Sequence, residues 1–143
     1  MEKERLKDFI KLRLDLENTI NSMIDMKVVE LNKEKKMVVL EFPIKSWELN
    51  PFDHLHGGII STMIDITMSA SAYSFSQASS TPTIQMAINF VKGVPDCSIL
   101  CVEGYCDHVG SRMAQTRAIV KIKGKNEIVA TANGSYAINN GKK

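Results

Sequence analysis

The sequence has almost no charge imbalance: 18 Lys plus Arg against 16 Asp plus Glu leave a formal net charge of +2. An excess so small and dispersed excludes nucleic acid as the main partner and leaves acidic small molecules open. Cysteine is scarce. Its three copies, Cys97, Cys101 and Cys106, are an odd count without the paired short spacings of zinc ligands, and they read as core or spectator thiols in a reducing cytoplasm. Long apolar runs are missing as well. The opening MEKERLKDFIKLRLDL carries charges where a secretory signal has an apolar core, and the most apolar stretch, His56 to Ser74, is broken by Asp65 and several hydroxyls. Neither a leader nor a membrane span is expected. Gly57-Gly58 lacks the third glycine and the preceding strand of a dinucleotide fingerprint, and no serine sits in a nucleophile elbow. Asp53, His54 and His56 lack a fourth ligand, so no metal is expected, and His108 reads as a solvated histidine.

What is present centres on His56–Ser74, HGGIISTMIDITMSASAYS, which predicts one long helix. Two glycines at its entry leave backbone N–H groups unobstructed, and its body of Ile, Met, Ala and small hydroxyl residues has no broad charged face, so burial on most sides is expected. Asp65 is its only carboxylate. A carboxylate in a buried helix costs free energy unless something pairs with it or uses it. Structural pairing and catalysis compete as explanations, and the company of Asn50, His56, Gly57 and Gly58 favours catalysis. A helix start that welcomes negative charge, plus a carboxylate, is the minimum kit for adding water to an acyl group. Eight residues at 1.5 Å each put Gly57 and Asp65 about 12 Å apart along the helix. One carbonyl cannot meet both, so a shared site demands two copies of the chain.

With 143 residues the chain fits one domain. Leu6, Phe9, Leu12, Leu16 and Ile20 at helical spacing predict an amphipathic helix within residues 1–24, packed on a domain of residues 25–143. Met26–Leu31 and Met37–Phe42 predict a hairpin around Asn32–Lys36, closed by Pro43, and Trp47 in the following loop reads as a packing residue. After a Ser-rich loop, Ser76–Pro82, come strands at Thr83–Lys92, Ser98–Asp107, Arg112–Lys123 and Glu127–Ile138. The first alternates Ile84, Met86, Ile88 and Phe90 against polar or small residues, which predicts a core face; the tail Asn139–Lys143 is expected to fray. The expected class is α+β, a curved antiparallel sheet wrapped around one long helix.

Asn50-Pro51, His56-Gly57-Gly58, Asp65 seven residues after the second glycine, TIQMAINFV from Thr83, Gly110-Ser111-Arg112 and Ala130-Thr131-Ala132, in this order, resemble the hot-dog-fold acyl-CoA thioesterases of the PaaI-like and thioesterase-superfamily-member-2 kind. The resemblance spans roughly Val28–Ile138. It implies hydrolysis of acyl-CoA without a cofactor, in homodimers paired edge to edge and often stacked into tetramers. It further implies Asp65 as base or nucleophile, Gly57 N–H with Asn50 polarising the thioester carbonyl, His56 close by, and Thr83 positioning water. Gly58, Lys92 and Arg112 are candidate substrate contacts, the two cations for the CoA phosphates. Asp53 departs from the family, where many members have Gly before the HGG. An acyl-CoA-binding module without turnover and a hydratase of the same fold are the alternatives.

Overall fold

Alternation along the strands decides which face meets the helix. In β4 (Ile99–Val109) Leu100, Val102, Gly104 and Cys106 are buried, and in β5 (Met113–Ile122) their register partners are Ile122, Val120, Ala118 and Thr116. β6 (Ile128–Ala137) continues this face with Ala130, Ala132, Gly134 and Tyr136 opposite Val120, Ala118, Thr116 and Ala114 of β5. The face is lined with small residues where α3 (Gly57–Ser74) lies across it. A Cβ on Gly104 would come within 2.8 Å of the Thr67 carbonyl oxygen, so helix and sheet touch backbone to backbone only because this position is glycine. With β1 (Lys27–Asn32), β2 (Met37–Pro43) and β3 (Thr83–Phe90) the strands form one antiparallel six-stranded sheet in the order β1-β2-β4-β5-β6-β3. This is the hot-dog arrangement expected from the sequence. The computed structural model describes residues 1–141; Lys142 and Lys143 of the expected frayed tail lie outside the described residues.

α3 buries Ile60, Met63, Ile64, Ile66, Met68, Ala70 and Ala72, each of the larger side chains contributing roughly 1.5–3 kcal/mol of transfer free energy. Several of its hydroxyls bond back along the helix: Thr67 to the Met63 carbonyl at 2.8 Å, Ser61 to that of Gly57 at 2.8 Å, Ser71 to that of Met68 at 2.7 Å, while Ser69 reaches out to Thr81.

Several expectations are corrected. The N-terminal segment is two helices, α1 (Glu2–Leu14) and α2 (Ile20–Met23). Between them Asn18 takes φ +55°, and the reciprocal Thr19–Ser22 capping box starts the second helix afresh. The buried stripe is Leu6, Phe9 and Ile10, whereas Leu12, Leu16 and Ile20 are exposed. α1 is fastened to α3 by Arg5, whose guanidinium lies over Tyr73 and donates to the carbonyls of Tyr73 at 2.8 Å and Ala78 at 2.6 Å. Trp47 is exposed and its neighbour Glu48 is fully buried, because the short 3-10 turn Ser46–Glu48 aims residue 48 inward. β3 is an edge strand, so its alternation buries little: Met86 and Ile88 are half-buried, while Ile84 and Phe90 remain 53% and 55% exposed. β4 runs on through His108 past an irregularity in its pairing after Cys106. Asn139 is held: its carbonyl accepts from Ser79 N–H at 2.6 Å and its own N–H reaches the Ser80 carbonyl at 3.2 Å.

Candidate active site

Two groups of polar residues occupy α3, one at its start and one at its middle. At the start His56 is the N-cap, and its Nδ1 accepts the Gly58 N–H at 2.9 Å. A Cβ on Gly58 would lie 3.1 Å from that nitrogen, so a larger residue there would push the capping ring by a few tenths of an ångström. The candidate contact Gly58 therefore has its N–H occupied within the chain. The Gly57 N–H meets no acceptor among the described residues.

The loop leading into α3 is built from local hydrogen bonds. Asn50 Oδ1 accepts the N–H groups of Phe52 at 2.9 Å and His54 at 3.2 Å, while Asn50 N–H donates to the His54 carbonyl at 2.7 Å. With its oxygen held from within the loop, Asn50 keeps Nδ2 without an acceptor among the described residues. Asp53 adopts φ +62°, the left-handed conformation that glycine takes without penalty and that Asp tolerates. A glycine before the HGG would reach the same backbone conformation. Asn50, His54, Gly57, Phe90 and Lys92 line a cleft of about 300 Å³. Lys92 forms an ion pair with Glu127 at the rim.

Two turns further along, Asp65 is partly exposed, less buried than its apolar surroundings in sequence predict. Its Oδ1 accepts from Thr83 Oγ1 and from Tyr136 OH, both at 2.7 Å. Oδ2 has no hydrogen-bond partner among the described residues. Thr83 and Tyr136 are paired across β3 and β6, so sheet register delivers both hydroxyls to one oxygen. Burial first, and the Asp65 charge second, push the Tyr136 phenol far above its ordinary range, which keeps it a donor at any physiological pH. Tyr136 escaped the sequence reading. The available signal was a lone large residue with a polar tip after Ala130, Ala132 and Gly134 on a core-facing strand, since a buried phenol must find an acceptor.

Arg13 of α1 also escaped it. Its guanidinium stacks 3.3 Å from the Phe9 ring centroid and donates to the Phe9 carbonyl at 3.0 Å. Burial lowers its pKa to about 10 and the nearby Asp65 carboxylate acts in the opposite sense, so it stays cationic at neutral pH. Arg112 is exposed in the β4–β5 connection, where its carbonyl accepts the Ile138 N–H at 2.8 Å, and it does not line the cleft of Asn50 and Gly57. Nor do Asp65 and Thr83. Within one chain, then, Asn50, His56, Gly57 and Lys92 are gathered at one place and Asp65, Thr83 and Tyr136 at another.

A family model described as the thioesterase superfamily matches residues 52–129, more than half of the chain. No curated protein matches the sequence. Among solved structures, the Escherichia coli PaaI protein from the phenylacetic acid degradation operon superposes with a TM-score of 0.82 at 13% identity, covering 99% of both chains. Zebra fish thioesterase superfamily member 2 gives 0.81 at 16% identity over 94% of this chain and 96% of its own. A Streptococcus mutans protein solved bound to acetyl CoA gives 0.74 at 22% identity over 90% and 99%. At these identities the structures speak for the shared fold.

Proposed function

The chain belongs to the thioesterase superfamily, and from that premise we propose that it hydrolyses acyl-CoA thioesters to the free acid and CoA, with Asp65 as the acid–base or nucleophilic carboxylate. The observation that carries this reading is the state of Asp65: one oxygen is held by two hydroxyls and the other has no partner among the described residues, on a helix most of whose apolar side chains are buried. A carboxylate kept only for structure has little reason to leave an oxygen open beside two neutral donors. As a base, Oδ2 takes a proton from water while the resulting hydroxide adds to the thioester carbon. As a nucleophile, the same oxygen adds to that carbon and water later cleaves the mixed anhydride. In both routes the carbonyl oxygen becomes negative. The Gly57 N–H and Asn50 Nδ2 are the donors for that charge, and the CoA thiolate leaves and is protonated.

The 12 Å or so of helix between Gly57 and Asp65 supports a site shared by two subunits, the donors and the carboxylate for one thioester coming from different chains. The exposed β3 edge, with Ile84, Phe90 and Val91 between 53% and 62% exposed, is the surface for that pairing. Thr83 positions Asp65 or its water, and Lys92 at the cleft rim is the stronger candidate than Arg112 for a CoA phosphate. The test is thiol release across a panel of short, long and aryl acyl-CoA thioesters. Wild type is expected to release thiol from at least one class and Asp65→Asn from none; a wild type inert on the whole panel while still binding acyl-CoA overturns the hydrolase in favour of a binding module.

A further inference from the structure

Glu48 is a fully buried carboxylate on the loop that leads into α3. Its Oε1 accepts the Lys45 N–H at 2.8 Å, while Oε2 is enclosed without any hydrogen-bond partner among the described residues. The Lys45 ammonium makes no ion pair with it, being engaged with the Met23 carbonyl at 2.9 Å and Asp25 at 3.1 Å, and its charge offsets the burial only in part. Burial accordingly raises the Glu48 pKa. An arrangement this unfavourable for the side chain is matched by what its main chain does. The Glu48 N–H donates to the Lys45 carbonyl at 3.0 Å, and the Glu48 carbonyl accepts the His56 N–H at 2.8 Å. One residue thus closes the turn behind it and fixes the N-cap of α3 ahead of it, with Asn50 in the span between.

We propose that Glu48 is the positioning residue of the N–H cradle: its buried carboxyl clamps the turn at Lys45, so that its carbonyl holds His56 and sets the direction in which Gly57 N–H and Asn50 Nδ2 face the cleft. The inference rests on the reading of Gly57 and Asn50 as the carbonyl donors. An acceptor at the position of Oε1 is the required feature, and negative charge is not. Glu48→Gln keeps that acceptor at the same length, and Glu48→Met keeps the length without it.

The test measures kcat and KM for these two variants and, independently of turnover, the ¹H–¹⁵N amide signals of His56, Gly57 and Gly58. Glu48→Gln is expected to leave kcat within about threefold and the three amides in place, whereas folded Glu48→Met lowers kcat about 30-fold with KM within about threefold and shifts all three amides. If Met does not fold, Glu48→Asp, which withdraws the acceptor by one methylene, takes its place with the same expectation. In an Asn50→Ala background the Met substitution should cost only a few-fold more, since both act through one cradle. Wild-type amide positions in folded Glu48→Met or Glu48→Asp overturn the positioning role whatever the activity. Shifted amides in a protein whose wild type hydrolyses no acyl-CoA uphold the positioning role and overturn the functional reading on its own.

Discussion

The two polar groups on α3 differ in what they have left to give. At the middle of the helix Asp65 has already received two hydroxyl donors from the sheet, and what remains is one acceptor oxygen. At the start of the helix the internal needs are also met, by the His56 cap and the Asn50 loop, and what remains are donors: Gly57 N–H and Asn50 Nδ2. One place offers negative charge and the other welcomes it, and each is completed by different neighbours. The difference sets an expectation: each place is completed by its own neighbours, so a substitution at one should leave the geometry of the other in place, and on the proposed reading it is the substrate that draws on both. On the proposed reading, preorganisation of this kind lets each donor and acceptor act without rearranging as charge develops.

Breaking the acceptor half has the largest expected effect. Asp65→Asn keeps the shape and the acceptance from Thr83 and Tyr136 but removes the anion, so kcat should fall by about 10²–10⁴. Acyl-CoA affinity by calorimetry should stay within a few-fold. Unchanged turnover in this variant would sink the mechanism.

Breaking the donor half comes next: Asn50→Ala should lower kcat by about 10²–10³, the usual loss of one oxyanion donor. Mixing the halves then asks where they meet. In a hybrid of an Asp65→Asn chain and an Asn50→Ala chain, one site has both groups intact and the other has neither. With random pairing about half the dimers are hybrids, so co-expression should restore roughly a quarter of wild-type thiol release. Confirmed hybrids without recovered activity place both halves of a working site in one chain.

A smaller effect sharpens the contrast within the acceptor half. Tyr136→Phe keeps the buried ring and removes one of the two donors to Asp65 Oδ1. A hydrogen bond to a charged group contributes about 1.5–3 kcal/mol, and the loss of stability in urea melts should fall in or below that range because Thr83 remains. Activity should drop about tenfold through poorer aim of the carboxylate. Amide signals of Gly57 and Gly58 should not move, and a shift there contradicts the independence of the two halves.

The smallest effect concerns pH. Glu48 has a folded-state pKa above its unfolded value, so the folded chain holds that proton more tightly. Its contribution is therefore best below the unfolded pKa and is lost as pH rises through the folded one. Glu48→Gln removes that dependence. Relative to wild type it should melt higher near pH 7 and lose the advantage as pH falls toward about 4, the ordinary glutamate range. A melting difference that stays flat across this range contradicts a buried, proton-binding Glu48.

Much of the fold and some of the candidate site were legible in the residues alone. α3 stood out because eighteen residues without a charge except Asp65 have few alternatives to a buried helix. The strands showed through their alternation and through turns such as Gly124, which takes φ +84°. Asp65 announced itself as the lone carboxylate in apolar company, and Asn50, His56 and Gly57 through their order along the chain. All of these are local patterns, carried by neighbours in sequence. The pairing of Thr83 with Tyr136 on one oxygen of Asp65 depends on the register of β3 against β6 and on how closely α3 sits to the sheet, quantities set by packing across 71 residues of chain. Burial of Glu48 in place of Trp47, the exposure of the β3 edge, and the approach of Arg13 to Asp65 were likewise decided by tertiary structure. Side-chain chemistry names which groups can act, and it is written residue by residue. Which of those groups end with an oxygen or an N–H to spare depends on every partner that folding brings to them.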